Sequence, residues 1–294
     1  MKGSCMPKID FNAYAAQLAR TNGRQTMAPV IEKELLHYEI LRAMEEDGLL
    51  GGLVFQGGTC LRLCYGASRY SEDLDFAGDF DFDAADLDML KTCIERALPR
   101  RYLVTIDVRK PDTSASLVKR WRIRVDTTPT RLDIASQKVS VEVATIPAHT
   151  KRPRMLRLNY EGLPASYEDV VLFVESPEEI MADKLEALAC SKLPRYRDIW
   201  DLHWLVRQPG IDLDEACALR KRKETDYRES EIFAKEAPRL VDDLATIVEG
   251  NEFAKQMRRF LPIEQFERTI ARPAFCAALT EGVRELYARC GVHE

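Results

Sequence analysis

The chain has 294 residues, with 43 Lys and Arg against 48 Asp and Glu, a formal net charge of −5 and 46% hydrophobic residues. That balance excludes a collagen-like, low-complexity or wholly disordered chain, and the length suits one large domain or two intimate ones. Apolar runs are only a few residues long, far short of the ~20 that a membrane helix needs, so no membrane partner is expected. Met1 to Phe11 carries charges and a proline but no apolar stretch of the signal-peptide kind. Eight cysteines are scattered without a CxxC pair, and there are only four His. Reduced core thiols in a cytoplasmic protein fit this better than zinc ligands.

Taken in order, residues 27–47 predict an amphipathic helix, with Ile31, Leu35, Leu36, Ile40, Leu41 and Met44 at helical spacing. A Gly-rich break at 48–52 follows, then a short buried strand at Leu53–Phe55, then a turn at Gln56-Gly57-Gly58-Thr59. Thr59 is a candidate N-cap for a helix that ends near Gly66. Arg69 to Phe76 reads as a strand and 84–98 as a helix. Strands are expected at Tyr102–Val108, Trp121–Thr127 and Lys138–Ala144. Ser176-Pro177-Glu178-Glu179 has the form of a capping box, and from there the chain reads as helix to its end. The order of elements predicts an α+β protein rather than a doubly wound parallel sheet. The expected divisions are an N-terminal helical segment at 1–48, a mixed α/β core at 49–175 and a C-terminal helical domain at 176–294.

The strongest chemical signal is Gly57-Gly58-Thr59 followed by Asp73-Leu74-Asp75-Phe76. Paired glycines before a helix let a phosphate approach backbone N–H groups at its positive end. Carboxylates at i and i+2 of a strand project from one face, and such hard oxygen ligands suit Mg2+. The plain alternative is a tight turn and a solvated acidic edge strand. Two-metal chemistry asks for a third carboxylate. Glu142 is favoured, because Val139, Val141 and Val143 take one strand face and Ser140 and Glu142 the other. Asp126 is second and Asp133 third. Asp79, Asp81, Asp83, Asp86 and Asp88 are read as solvated.

On the helix after Ser176, Lys184 falls within the apolar arc of Ile180, Met181, Ala187 and Leu188, with Asp183 and Glu186 expected opposite. An inward lysine needs a charged partner, a triphosphate or a carboxylate. Asp198 and Asp201 share a helix face with Leu202 and Leu205. Asp198 is a candidate for orienting Lys184, and Asp201 for a pair with Arg195 or Arg197. His203 is read as packing or surface. Residues 101–160 hold thirteen Lys and Arg against five acids, a local +8, and Arg220-Lys221-Arg222-Lys223 adds a second basic cluster. A basic stripe beside carboxylates suits phosphodiester binding.

The run Phe55-Gln56-Gly57-Gly58-Thr59-Cys60-Leu61-Arg62-Leu63 with Arg69-Tyr70-Ser71-Glu72-Asp73-Leu74-Asp75-Phe76 resembles the AbiEii/AbiGii toxin family. So does Glu178-Glu179-Ile180-Met181-Ala182-Asp183-Lys184-Leu185 with Arg197-Asp198-Ile199-Trp200-Asp201-Leu202. The resemblance covers roughly residues 27–206. It implies a nucleotidyltransferase-fold mixed-sheet core, a helical C-terminal region, Mg2+ and an NTP substrate. It further implies membership of a toxin–antitoxin or phage-defence pair with a cognate antitoxin. Some relatives add nucleotides to the 3′ end of tRNA, which makes RNA the expected acceptor. By the family pattern Asp73 and Asp75 hold the metal, with Glu142 as the provisional third ligand. Gly57, Gly58, Thr59, Arg62, Arg69, Ser71 and Lys184 bind the nucleotide, and Lys184 and Asp198 match the later catalytic motif. Gly-Gly-Thr replaces the Gly-Ser of some relatives. Two other readings stand beside this one: a nucleotide-binding regulator without turnover, and a small-molecule nucleotidyltransferase of the antibiotic-modifying kind.

Overall fold

Local sequence explains most of the elements in the computed structural model, which describes residues 8–112, 116–129 and 135–292. The chain divides into two compact units. The first comprises Met1–Phe55, Ser71–Thr145 and Pro153–Phe173, and the second Gln56–Tyr70, Ile146–Arg152 and Val174–Glu294.

The first unit opens with α1 (Phe11–Thr21), capped by the Asp10 carboxylate on the Ala13 N–H, and α2 (Ala28–Glu46), which has a proline in its first turn. All six apolar residues picked out on α2 are buried, but so are Glu32, Glu34, His37 and Glu39. The helix is thus enclosed on more than the expected face. Its acids are satisfied by hydrogen bonds: Glu39 accepts from the hydroxyls of Tyr102 and Tyr167 and pairs with Arg42 and Arg101. The strands are β1 (Val54–Gln56), β2 (Leu74–Ala77), β3 (Thr105–Arg109), β4 (Val118–Asp126), β5 (Gln137–Ala144), β6 (Arg152–Met155) and β7 (Val171–Val174). They form one mixed sheet in the order β3-β4-β5-β2-β1-β7-β6. β2 and β5 are parallel, while β3/β4 and β4/β5 are antiparallel. The two short strands β6 and β7 carried no alternation strong enough to be read beforehand.

The pleat sorts residues strictly. Leu74, Phe76, Trp121, Ile123, Val125, Val139, Val141 and Val143 are buried, on the side covered by α2 and by α4 (Leu90–Arg101). Asp75, Arg120, Arg122, Arg124, Ser140 and Glu142 alternate with them and are half-buried or exposed. The expected strand at 69–76 is shorter than predicted: pairing begins only at Leu74, leaving Asp73 just ahead of β2. Asp79, Asp81, Asp83, Asp86 and Asp88 are exposed, as read from sequence.

The second unit is helical. It contains α3 (Gly57–Cys64), α5 (Pro177–Cys190), α6 (Tyr196–Val206), α7 (Leu213–Tyr227), α8 (Ser230–Glu249), α9 (Asn251–Phe260), α10 (Ile263–Arg268) and α11 (Pro273–Arg289). Ser176 caps α5 by accepting the Glu179 N–H at 3.2 Å. The reciprocal half of the expected capping box is replaced: the Glu179 carboxylate accepts from the His149 and Thr150 backbones instead. Cys217 and Cys290 form a disulfide linking α7 to the end of α11, which corrects the expectation of thiols throughout. Their 73-residue separation left no spacing signal to read. Cys60, Cys64, Cys93, Cys190 and Cys276 are not in disulfides, and Cys5 lies outside the described residues. Among the described residues no helix is long and apolar enough to cross a membrane.

Candidate active site

The first unit gathers the carboxylates. Register makes Asp75 the direct neighbour of Glu142 on the parallel strands β2 and β5, and Glu142 the direct neighbour of Arg120 across β4. Asp73 Oδ1 accepts the Ser140 N–H at 3.0 Å, so it is held against the same strand two residues upstream of Glu142. Three carboxylates therefore border one polar sheet face. Asp126 lies on β4 opposite Thr105, whose hydroxyl it accepts at 3.2 Å, away from the β2/β5 pair. Asp133 and Arg131 lie outside the described residues. Ser71 is buried just ahead of β2.

Arg120 was not singled out by sequence. Its Nε lies 2.7 Å from Glu142 Oε1 and its Nη2 donates to Oε2 at 3.1 Å. The hydrogen bond to Glu142 outweighs partial burial and raises the guanidinium pKa, with Asp73 and Asp75 adding to the same pull. Arg120 stands one residue ahead of the expected strand at Trp121–Thr127, whose alternation, extended back by one position, gives its face but not its partner.

The second unit holds the glycine turn and the lysine expected from sequence to meet a nucleotide. Gly57 takes φ +75°, a conformation only glycine adopts cheaply, and turns the chain from β1 into α3 within one residue. The helix thus begins at Gly57 rather than after Thr59. Gln56 is the N-cap position, and Thr59, expected to be the cap, is buried within the helix together with Gly58. Arg62 donates to the Ala67 and Ser68 carbonyls and lies over the Tyr70 ring at 4.5 Å.

Lys184 is buried, as its position on α5 predicted, with Nζ 2.7 Å from both Asp198 and Asp201. Burial alone would lower its pKa, but the two carboxylates overcome that and raise it. Asp198 also pairs with Arg195. Burial pushes Asp198 up, yet Lys184 and Arg195 hold it well below the usual carboxylate range. Asp201 binds Arg69 in a two-pronged pair as well as Lys184, a pairing with Arg69 that the local spacing did not suggest. Glu186 and Asp183 do not form a solvent face of α5. Glu186 is 1% exposed against Arg220, and Asp183 joins Glu175 and Glu179 around Lys223, which is fully buried.

The basic run Arg220–Lys223 therefore divides. Arg220 and Lys223 are core residues and only Lys221 and Arg222 are exposed. Helical spacing with Ala216 and Leu219 carried that information (i, i+3, i+4, i+7), which charge alone hid. His203 is packed edge-on against Phe275. A further trio, Glu186, Cys190 and Glu229, has ligand-type atoms within 4.8 Å of one another, but the Arg220 cation already bonds Glu186.

The chain matches the family described as "Nucleotidyl transferase AbiEii toxin, Type IV TA system" over residues 39–281. Two solved structures share its fold. One is a Helicobacter pylori protein assigned as a nucleotidyltransferase, at 20% identity and TM-score 0.51, covering 88% of this chain and 97% of that one. The other is JHP933 from Helicobacter pylori, at 22% identity and TM-score 0.50, covering 88% and 94%. None of the curated proteins matches. The match over most of the length shows that this chain belongs to the AbiEii nucleotidyltransferase toxin family of type IV toxin–antitoxin systems.

Proposed function

We propose that this nucleotidyltransferase moves a nucleotide from an NTP to RNA, with the 3′ end of tRNA as the acceptor, using Mg2+ at Asp73, Asp75 and Glu142. The observation that carries the metal reading is the juxtaposition of Asp75 and Glu142 on parallel strands, with Asp73 tied to the same strand. Hard oxygen donors converging on one polar face fit a divalent cation. When bound, such a cation neutralises phosphate charge and favours attack at the α-phosphorus.

The chain's own residues take the remaining roles. The backbone at Gly57, Gly58 and Thr59 would receive the triphosphate, and Lys184, set by Asp198, would add positive charge to it. Arg62, Arg69 and Ser71 belong to the same nucleotide-binding set. Arg62 and Arg69 act through the backbone and carboxylate that they hold. Transfer joins the acceptor oxygen to the α-phosphorus and breaks the bond to the leaving pyrophosphate. Glu142 either completes the metal site or takes the acceptor proton.

The exposed Arg109, Arg122, Arg124 and Lys138, on the neighbouring strands β3, β4 and β5, support a phosphodiester acceptor. Exposed ion pairs such as Arg109–Asp107 and Arg124–Asp126 are weak and open readily to a phosphate. The family membership supports a cognate antitoxin as partner and a role in phage defence, and a cytoplasmic setting fits both.

The test is incubation with each labelled NTP and total RNA. Label in small RNA that disappears with Asp73→Ala, in a variant of unchanged circular dichroism, is the expected result. Undiminished transfer by that variant removes the assignment. NTP binding with no transfer to any acceptor would establish the regulator reading. Transfer to small molecules that survives Arg122→Ala/Arg124→Ala would establish the antibiotic-type one.

A further inference from the structure

The row Asp75–Glu142–Arg120 runs straight across three adjacent strands. A guanidinium fork uses both carboxylate oxygens at once, and Arg120 does this to Glu142 at 2.7 and 3.1 Å. A carboxylate that ligates a divalent cation must offer at least one of those oxygens to it. Arg120 is 47% exposed and Glu142 19% exposed. The pair is therefore partly open to solvent, where an ion pair contributes at most about 1 kcal/mol. What it does supply is charge, since one cation from β4 sits at the end of a face bordered by three acids.

We infer that Arg120 is the resident counter-charge of this carboxylate face and competes with a divalent cation for Glu142. This rests on the metal reading proposed above. The consequence is a positioning role. Glu142 stays neutralised and turned toward β4 until a cation takes it, and the freed guanidinium then remains on the same face, where phosphate charge arrives.

Mn2+ binding to the full chain without nucleotide, followed by electron paramagnetic resonance and calorimetry, tests both statements separately. Arg120→Gln should tighten Mn2+ binding about two- to fivefold, the factor that an exposed ion pair of this kind is worth. Arg120→Lys, which keeps a charge but loses the fork, should fall between it and the wild type. In a Glu142→Gln background, Arg120→Gln should tighten Mn2+ binding distinctly less, leaving only the through-space effect of its charge on Asp73 and Asp75. Unchanged or weaker Mn2+ binding by Arg120→Gln, or the same tightening without Glu142, overturns the competition. Asp75→Asn is the control on the parent reading. It should weaken Mn2+ binding whatever stands at position 120, and if it does not, the metal reading itself has failed and the inference falls with it.

Discussion

Arg69 grips Asp201 with two prongs, Nε to Oδ1 at 2.8 Å and Nη2 to Oδ2 at 2.5 Å, both side chains being almost fully buried. Its remaining Nη1 donates to the Tyr70 carbonyl at 2.6 Å. Because Asp201 also meets Lys184, which meets Asp198, which meets Arg195, five charged residues of the second unit form one chain with Arg69 at its head. A buried charge robbed of its partner is expensive. Arg69→Met should cost about 3 kcal/mol in a urea titration, while the paired substitution Arg69→Met/Asp201→Leu should recover part of that loss. Equal destabilisation of the double and single variants would refute the pairing as the cause.

Lys223 supports a second prediction. It stands among Glu175, Glu179 and Asp183 with ammonium-to-carboxylate distances of 3.0, 2.8 and 3.3 Å. Burial pushes the Glu175 carboxyl well above its usual range, with Asp183 adding to the rise and Lys223 opposing it. Lys223→Met should destabilise the protein by roughly 3–5 kcal/mol, the cost of an uncompensated buried charge. Lys221→Ala, two residues away and exposed, should lie within about 0.5 kcal/mol of the wild type. Chemical denaturation of the two variants decides whether the basic run is core or nucleic-acid contact at these positions.

Two buried groups of the helical unit give opposing pH dependences. Burial pushes Glu186 up to about 7 against the pull of Arg220. The folded state then holds a proton that the unfolded chain releases near pH 4.3, so stability falls as pH rises from there to about 7. Burial, assisted by Arg207, lowers His203 to about 4. Below the unfolded value near 6.5 the unfolded chain gains the proton first, so this contribution is lost as pH falls from about 6.5 to about 4. Thermal midpoints across pH 4–8 should therefore rise with pH more steeply in Glu186→Gln than in the wild type. In His203→Gln they should rise less steeply or fall. Parallel curves for all three proteins would contradict both assignments.

The Cys217–Cys290 bridge closes a loop of 73 residues within the second unit. In the chain-entropy account such a loop is worth about 4 kcal/mol of stability. Oxidised protein should titrate two thiols short of its eight cysteines and lose stability on adding dithiothreitol. Cys217→Ser/Cys290→Ser should match the reduced protein and show no response to dithiothreitol. A full count of eight thiols after oxidation would show that these two cysteines stay reduced.

Which features could be read in advance follows the range of the interactions involved. Periodicity is local, so the helix at 28–46, the cap at Ser176, the alternating strands β4 and β5 and the inward face of Lys184 were all written in neighbouring residues. The ordered motifs from Phe55 to Phe76 and from Glu178 to Leu202 identified the family for the same reason. Partner choice is not local. That Glu142 lies beside both Asp75 and Arg120 follows from register across three strands separated in sequence by up to 67 residues. That Arg69 meets Asp201 depends on residues 132 apart. Thr59 lost its expected capping place because Gly57, at positive φ, could start the helix three residues earlier. Arg220 and Lys223 became core cations because packed helices brought acids to them, which no count of charge along the chain contains. Sequence by itself determined the class of protein and the residue types of its candidate site. Tertiary structure alone decided which charge neutralises which, because that depends on burial and on distance through space.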